Sequence, residues 1–173
     1  YRRRTPFALA GARGLRQFFE RLKGVYGDWL VFPEHLFSLR EMDDRAPDAF
    51  GSGDLLIRSW PVAHIASSIG YRVEAPGGIC IAYSGDTGFC ESLVELARGA
   101  DLFLCECSLP DGMNVEGHLT PSEAGEAASR AGVKRLVLTH FYPECEGVDI
   151  EAQCRRTWKG PLTLAEDLMR FHI

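Results

Sequence analysis

Residues 79–88 read Ile-Cys-Ile-Ala-Tyr-Ser-Gly-Asp-Thr-Gly, an apolar run that ends in an acid between two glycines. The apolar part predicts a buried strand, and the glycines permit a sharp turn that projects the carboxylate of Asp86 past the strand end. Residues 89–98 follow directly with the apolar spacing of a helix. A strand, a tight turn and a helix in this order favour an α/β fold with a site at the strand ends.

Two other apolar runs also end in a residue that can bind a metal. Residues 55–64 end at His64, and residues 135–140 end at His140. Because strand ends present side chains to ligands in α/β sheets, we expect both histidines to lie near Asp86. Two imidazoles and one carboxylate suit a borderline metal such as zinc, and manganese or iron accept similar donors.

Each of these three residues also has an ordinary structural interpretation. Asp86 could cap the helix that follows it instead of bridging two metal ions about 3.5–4 Å apart. A single histidine at a strand end is more often a hydrogen-bonded structural residue than a ligand. The sequence leaves the choice open for each residue alone, and the agreement among three strand ends favours a metal site.

A second candidate group lies in a polar loop. His118 precedes the segment Thr-Pro-Ser-Glu at residues 120–123, which predicts a capping box and the start of a helix. A histidine at this position can donate a proton or bind an anion. Glu106 follows a predicted strand at residues 101–105 and could orient His118 and hold it protonated. The alternative for both residues is exposed loop surface.

The remaining pattern alternates strands and helices without internal repeats. The turn Pro76-Gly77-Gly78 predicts a hairpin of residues 69–75 with 79–84. Together these elements predict a layered α/β domain with a mixed sheet that covers residues 1–173. The other predicted strands are residues 6–10, 36–39, 134–139 and 162–172, and the other helices are residues 12–24, 120–131 and 149–157.

Composition excludes several classes of protein. The 173-residue chain has a net charge of −5, which gives no bulk attraction to nucleic acid. Its apolar runs are shorter than the roughly 20 residues that cross a bilayer, and its first residues do not resemble a signal peptide. The six cysteines are scattered, which is typical of reduced cytosolic proteins rather than of disulfide scaffolds. We therefore expect a cytoplasmic protein without a membrane partner.

Taken in order, these motifs resemble the ribonuclease Z-like branch of the metallo-β-lactamase superfamily. The resemblance implies an αββα sandwich with two zinc ions in the cleft between its sheets. It implies that His64 binds one ion, that His140 binds the other and that Asp86 bridges both. The nucleophile would be a metal-bridging hydroxide, because zinc lowers the pKa of bound water to about 7. His118 would assist at the scissile phosphate, with Glu106 behind it.

The chain departs from this family pattern in two places. It contains no His-x-His-x-Asp-His motif, which supplies most ligands in the family and would lie upstream of residue 1. We therefore expect a sandwich that is incomplete at its N-terminus, holds zinc poorly and is inactive alone. Bacterial ribonuclease Z also inserts a long tRNA-gripping arm between the strands matching residues 69–75 and 79–84, where this chain has a three-residue turn.

The sequence thus favours a metal-dependent hydrolase of a phosphodiester or related ester, with a small-molecule or nucleotide substrate. One alternative is an endonuclease that processes tRNA 3′ ends, although the short turn and the acidic charge disfavour RNA as the substrate. Another alternative is a non-catalytic binding module on the same fold. Because ribonuclease Z-like proteins are often dimers, a homodimer is a further expectation.

Overall fold

The structure is a computed structural model that describes residues 4–173. Over these residues the chain forms nine strands and four α-helices. In chain order they are β1 (Phe7–Ala12), α1 (Leu15–Tyr26), β2 (Phe37–Met42), β3 (Asp48–Ser52), β4 (Leu55–Pro61), β5 (Ile69–Glu74), β6 (Cys80–Tyr83), α2 (Glu91–Ala97), β7 (Leu102–Glu106), α3 (Pro121–Ala131), β8 (Leu136–Thr139), α4 (Ile150–Cys154) and β9 (Leu162–Leu164).

A small sheet begins the fold. Strands β1 and β2 pair in parallel, and α1 connects them and packs on both. Four phenylalanines hold this unit together, with ring centroids 5.1–5.2 Å apart, which are favourable distances for aromatic pairs. They are Phe7, Phe19, Phe32 and Phe37. The phenol of Tyr71 on β5 donates a hydrogen bond of 3.2 Å to the carbonyl of Ala10, which joins this sheet to the larger one.

The large sheet has seven strands in the order β3-β4-β5-β6-β7-β8-β9. Strands β3 to β6 pair antiparallel, whereas β6 to β9 pair in parallel. Parallel neighbours need crossover connections, and α2 and α3 supply two of them. As a consequence the C-terminal ends of β6, β7 and β8 lie at the same edge of the sheet.

The hydrophobic core lies between this sheet and helices α2 and α3. Its fully buried side chains include Leu93, Leu96, Phe103, Leu136 and Leu138. With α2 and α3 on the large sheet and α1 on the small one, the layers confirm the predicted α/β sandwich. The small sheet contributes two strands over the described residues.

Helix α3 starts as its sequence predicts. Thr120 and Glu123 form both hydrogen bonds of the capping box, and Pro121 occupies the first helical position. The predicted end of α1 at Gly24 is wrong, because the helix continues to Tyr26 and ends where Gly27 takes a φ of 57°. Helix α4 is shorter than the predicted 149–157, since it ends at Cys154 and continues as single turns.

Two strands differ from what the sequence pattern predicts. Strand β3 was not predicted, although Gly53-Asp54 is a two-residue hairpin turn between the paired residues Ser52 and Leu55. Strand β9 was predicted to run over residues 162–172, but it ends at Leu164. Leu168 has a φ of 65°, which is incompatible with an extended strand.

The cysteines are reduced, as their spacing predicts. All six are free thiols, and all except Cys90 are buried. Burial raises the pKa of the thiols of Cys80, Cys105, Cys107 and Cys145, and it raises the pKa of Cys154 to about 11. These five thiols are therefore poor nucleophiles at neutral pH. Within residues 4–173, none of the helices has the length and apolarity to cross a membrane.

Candidate active site

All five candidate residues meet at one edge of the large sheet. Asp86 follows β6, Glu106 is the last residue of β7, and His140 comes directly after β8. The ring centroids of His64 and His118 are 5.0 Å apart, and those of His118 and His140 are 5.8 Å apart. The parallel arrangement of β6, β7 and β8 is the reason that residues so distant in sequence lie together.

His118 and Glu106 form a close pair. The Nδ1 atom of His118 lies 2.8 Å from Oε1 of Glu106, and the side chain of Glu106 is 1% exposed. Because a carboxylate only accepts hydrogen bonds, Nδ1 carries the proton in this contact. The Nε2 atom of His118 is left for a substrate or a metal.

The carboxylate of Glu106 is surrounded by other donors as well. Oε1 accepts a hydrogen bond from the backbone N–H of Thr87 at 3.0 Å. Oε2 accepts from the backbone N–H groups of Ser108 at 3.1 Å and Leu119 at 3.2 Å, and from the Ser108 hydroxyl at 2.9 Å. With both oxygens occupied in this way, Glu106 is suited to orienting its neighbours and is a poor metal ligand.

The turn after β6 also positions His64. The N–H of Ala63 donates to the hydroxyl of Thr87 at 3.0 Å, and the N–H of Gly88 donates to the carbonyl of Ala63 at 2.7 Å. Asp86 does not cap α2, because that helix begins at Glu91 with Cys90 as its N-cap residue. The segment around Asp86 therefore contacts the strand end that carries His64 and does not cap α2.

His64 is anchored from the opposite side by the loop that carries His118. Its Nδ1 atom lies 3.1 Å from the carbonyl oxygen of Gly117. A carbonyl only accepts, so Nδ1 donates and Nε2 keeps its lone pair. Gly117 has a φ of +86°, and a Cβ at this position would lie 2.7 Å from Nδ1 of His64. Only glycine fits this close approach.

His140 has an unusual backbone conformation. Its φ of 64° lies in the left-handed region, which histidine occupies more readily than branched residues and which clusters at functional sites. Its Nδ1 atom is 2.9 Å from the Ser108 hydroxyl and 3.6 Å from Oδ1 of Asp86. The side chains of His140 and Asp86 are 35% and 44% exposed, so both are accessible to a ligand.

The three histidines thus share one arrangement. In each ring Nδ1 has a protein partner and, among residues 4–173, Nε2 has none, which is how metal-binding histidines are usually held. Ligand atoms of Glu106, His118 and His140 lie within 4.8 Å of one another. His140 belongs to both this group and the predicted ligand set, and the other predicted ligands, His64 and Asp86, lie beside His118 and His140 respectively. The nitrogen and oxygen donors fit a zinc ion. Asp86 is the carboxylate better placed to bind it, because both carboxylate oxygens of Glu106 already accept hydrogen bonds.

Sequence reasoning missed the serine at the centre of this group. Ser108 is fully buried, and its hydroxyl contacts Glu106, His118 and His140. The sequence does offer one indication of its role: Ser108 lies two residues after Glu106, and this spacing places both side chains on the same face at the end of one strand. Ser84 is also buried and accepts a hydrogen bond of 2.9 Å from the N–H of Glu106.

Aromatic side chains border the site. The ring centroid of Tyr142 lies 5.3 Å from that of His140 and 5.5 Å from that of His118. Burial, with a contribution from the charges of Asp86 and Glu106, raises the pKa of Tyr83. Beside Tyr142 is an open cavity of about 450 Å³, lined mainly by apolar residues: Phe141, Pro143, Cys145, Val148, Ile150 and Leu164.

Comparison with known proteins identifies the family. Residues 19–141 match the model of the beta-lactamase superfamily domain. The chain belongs to the metallo-β-lactamase superfamily. A relative from Mycobacterium leprae, an uncharacterized protein, is 40% identical over 139 residues, which cover 79% of this chain and 48% of the relative. The chain spans about half the length of this relative and of a similar uncharacterized protein from Mycobacterium bovis.

This superfamily member is also similar to ribonucleases. A ribonuclease Z of Methanothermobacter thermautotrophicus is 38% identical over 100 residues, 56% of this chain and 33% of the relative. A ribonuclease BN of Cronobacter sakazakii is 27% identical and covers 98% of this chain and 72% of the relative. That alignment spans 228 positions against a chain of 173 residues, so the ribonuclease contains additional segments.

Solved structures show the same fold. Human tRNase Z, short form, has a TM-score of 0.73 at 26% identity, over 95% of this chain and 67% of that one. A metallo-beta-lactamase fold protein of Bacillus subtilis has a TM-score of 0.74 at 20% identity, over 93% of this chain and 63% of that one. Both likenesses confirm the α/β architecture expected of the superfamily member.

Proposed function

We propose that the protein is a metal-dependent hydrolase that cleaves a phosphodiester or a related ester of a small molecule or nucleotide. The observation that carries the proposal is the set of three histidines whose Nδ1 atoms are all anchored and whose Nε2 atoms are open, beside the accessible carboxylate of Asp86. Membership of a superfamily that is generally hydrolytic supports it.

His64, Asp86 and His140 are the residues that we propose as metal ligands. The two imidazoles offer Nε2 lone pairs, and Asp86 offers a carboxylate that is 44% exposed. A bound zinc ion would lower the pKa of a bound water to about 7 and so supply a nucleophile at neutral pH. We propose zinc, although manganese and iron suit similar donors.

His118 is the residue that we propose as the proton donor to the leaving oxygen. Glu106 holds its Nδ1–H at 2.8 Å, so a proton on Nε2 is the one that can leave toward a substrate. The side chain of His118 is 10% exposed, and Tyr142 covers one side of it. This partial burial restricts the direction from which a leaving group can approach.

The proposal is tested with bis(p-nitrophenyl) phosphate and added Zn²⁺ or Mn²⁺, using the 173-residue chain and the complete product of its gene. We expect His118→Ala to lower kcat by about 10²–10⁴-fold. His35→Ala is the matched control, because His35 lies outside the site. A metal-loaded complete gene product that cleaves no member of a phosphodiester, lactone and thioester panel would overturn the hydrolase and leave a binding module.

A second candidate function is tRNA 3′-end processing. The likeness to ribonuclease Z sequences and to human tRNase Z, short form, supports it. The net charge of −5 and the short turn Pro76–Gly78 between β5 and β6 argue against it. Incubation with a precursor tRNA decides between the two: specific binding in a gel shift, followed by cleavage at the 3′ end, would favour the ribonuclease.

A further inference from the structure

The hydroxyl of Ser108 has three polar partners inside the protein. It lies 2.9 Å from Oε2 of Glu106, 3.0 Å from Nδ1 of His118 and 2.9 Å from Nδ1 of His140. A serine hydroxyl has one proton to donate and two lone pairs that accept. Three partners therefore use its full capacity, with no vacant position for water.

The direction of each hydrogen bond follows from the partners. A carboxylate cannot donate, so the single Ser108 proton points to Oε2 of Glu106. The hydroxyl oxygen then accepts the Nδ1–H of His140 and shares the single Nδ1–H of His118 with Glu106, so both rings carry a proton on Nδ1. His118 has the Glu106 carboxylate as an additional acceptor at 2.8 Å. For His140, Ser108 is the partner within hydrogen-bond distance, because Oδ1 of Asp86 is 3.6 Å away.

We propose that Ser108 is a positioning residue that fixes the tautomer and the ring orientation of His140. By accepting the hydrogen bond from Nδ1–H it keeps the lone pair of His140 on Nε2, the nitrogen that the proposed function assigns to the metal. Glu106 thus acts on His118 directly and on His140 through the serine. The inference deepens the proposed function, since the open Nε2 matters there as a metal ligand, but the tautomer itself can be measured without metal or substrate.

The test is the imidazole ¹H–¹⁵N spectrum of the metal-free full chain at a pH where the rings are neutral. We expect His64, His118 and His140 all to be protonated on Nδ1 in the native protein. In Ser108→Ala, His140 should shift toward the Nε2–H tautomer, whereas His64 and His118 keep theirs through Gly117 and Glu106. Ser108→Thr retains a hydroxyl and should restore the native spectrum of His140.

Ser59→Ala is the matched control. The Ser59 hydroxyl is equally buried. Among the described residues, it is the buried side-chain polar group that has no hydrogen-bond partner. Its removal should leave all three tautomers unchanged. An Nε2–H tautomer of His140 in the native chain, or an unchanged His140 in Ser108→Ala, would overturn the proposal. An Nε2–H tautomer of His140 in the native spectrum overturns the proposal even if Ser108→Ala does not fold, and in that case Ser108→Thr tests the role of the hydroxyl. If the tautomers are as expected but the protein cleaves no ester, the proposed hydrolase activity is contradicted and the proposed role of Ser108 is not.

Discussion

The Nδ1 atom of His64 lies 3.1 Å from the carbonyl oxygen of Gly117, so the loop that presents His118 also holds the ring of His64. Gly117→Ala should displace His64, because the added Cβ would lie 2.7 Å from Nδ1 and the loop backbone cannot recede without moving His118. The imidazole NMR signals of His64 are the readout, and we expect them to shift and broaden.

Gly112→Ala is the control for this prediction. Gly112 lies in the same loop with a φ of +89°, and its Cβ would meet nothing within 4 Å. Both variants introduce backbone strain of about 1–3 kcal/mol, but only Gly117→Ala should disturb His64. Equal effects on the His64 signals would show that strain in the loop, rather than the contact, is responsible.

Glu106→Gln should destabilise the protein. The amide group of glutamine donates where the carboxylate accepts, and Glu106 has only N–H and O–H donors around it. We expect a loss of about 2–4 kcal/mol in the free energy of unfolding, measured by urea denaturation. Glu95→Gln, at an exposed ion pair, should leave the free energy of unfolding nearly unchanged. A stable Glu106→Gln variant would contradict the network described for this carboxylate.

The capping box of α3 should contribute to the stability of the protein independently of the candidate active site. Thr120→Ala removes the hydroxyl that serves the helix N-terminus and should cost about 1 kcal/mol of stability, whereas Thr120→Ser should retain most of it. Thermal unfolding of the two variants measures the difference. If alanine and serine are equally tolerated, the hydroxyl contributes nothing at this end.

Alkaline pH should weaken the link between the two sheets. Burial raises the pKa of Tyr71 above its ordinary value near 10, so ionisation is easier in the unfolded chain. The contribution of this group is fully present below pH 10 and is lost as the pH rises through the folded pKa. Tyr71→Phe should therefore flatten the fall of the urea midpoint between pH 8 and pH 11, and Tyr83→Phe tests the other shifted phenol. An unchanged slope in Tyr71→Phe would contradict the assignment.

Ser59→Ala should be neutral or stabilising by up to about 1 kcal/mol. Its hydroxyl is buried on β4 without a hydrogen-bond partner among the described residues, so folding removes it from water without compensation. The urea midpoint measures the change. A loss of more than about 1 kcal/mol would mean that the hydroxyl has a partner, such as an ordered water.

Much of the fold could be predicted from the sequence, because several short segments specify their own secondary structure. The capping box around Thr120 and the apolar run before Asp86 each specify their structure within a few residues. Strand β3 was missed because Asp48–Ser52 has little apolar alternation and depends on pairing with β4. Strand β9 ends early because its partner β8 ends at Thr139, one residue after the last paired residue Leu138, and this limit is not readable from the sequence of β9 itself.

The site was predictable as a set of residues but not as a network. His64, Asp86, Glu106, His118 and His140 stand at recognisable strand and helix ends. The contacts of Ser108 and the close approach of Gly117 depend on how separate segments meet in space. A serine and a glycine are common in turns, so neither residue type indicates a special role.

The carboxylate of Glu106 has one more consequence, for the segment between Ser108 and Leu119. The N–H of Ser108 donates to the carbonyl of Leu119 at 3.1 Å, and Glu106 accepts from the N–H of both residues. The ten residues between them therefore form a loop whose two ends are held together by hydrogen bonds. Doubling the length of such a loop costs only about 0.6 kcal/mol. Asp111 ties the first part of this loop to Ser122 and Gln153, so grafting longer or differently shaped sequences within residues 112–116 offers a route to reshaping the surface beside His118 while those bonds are kept.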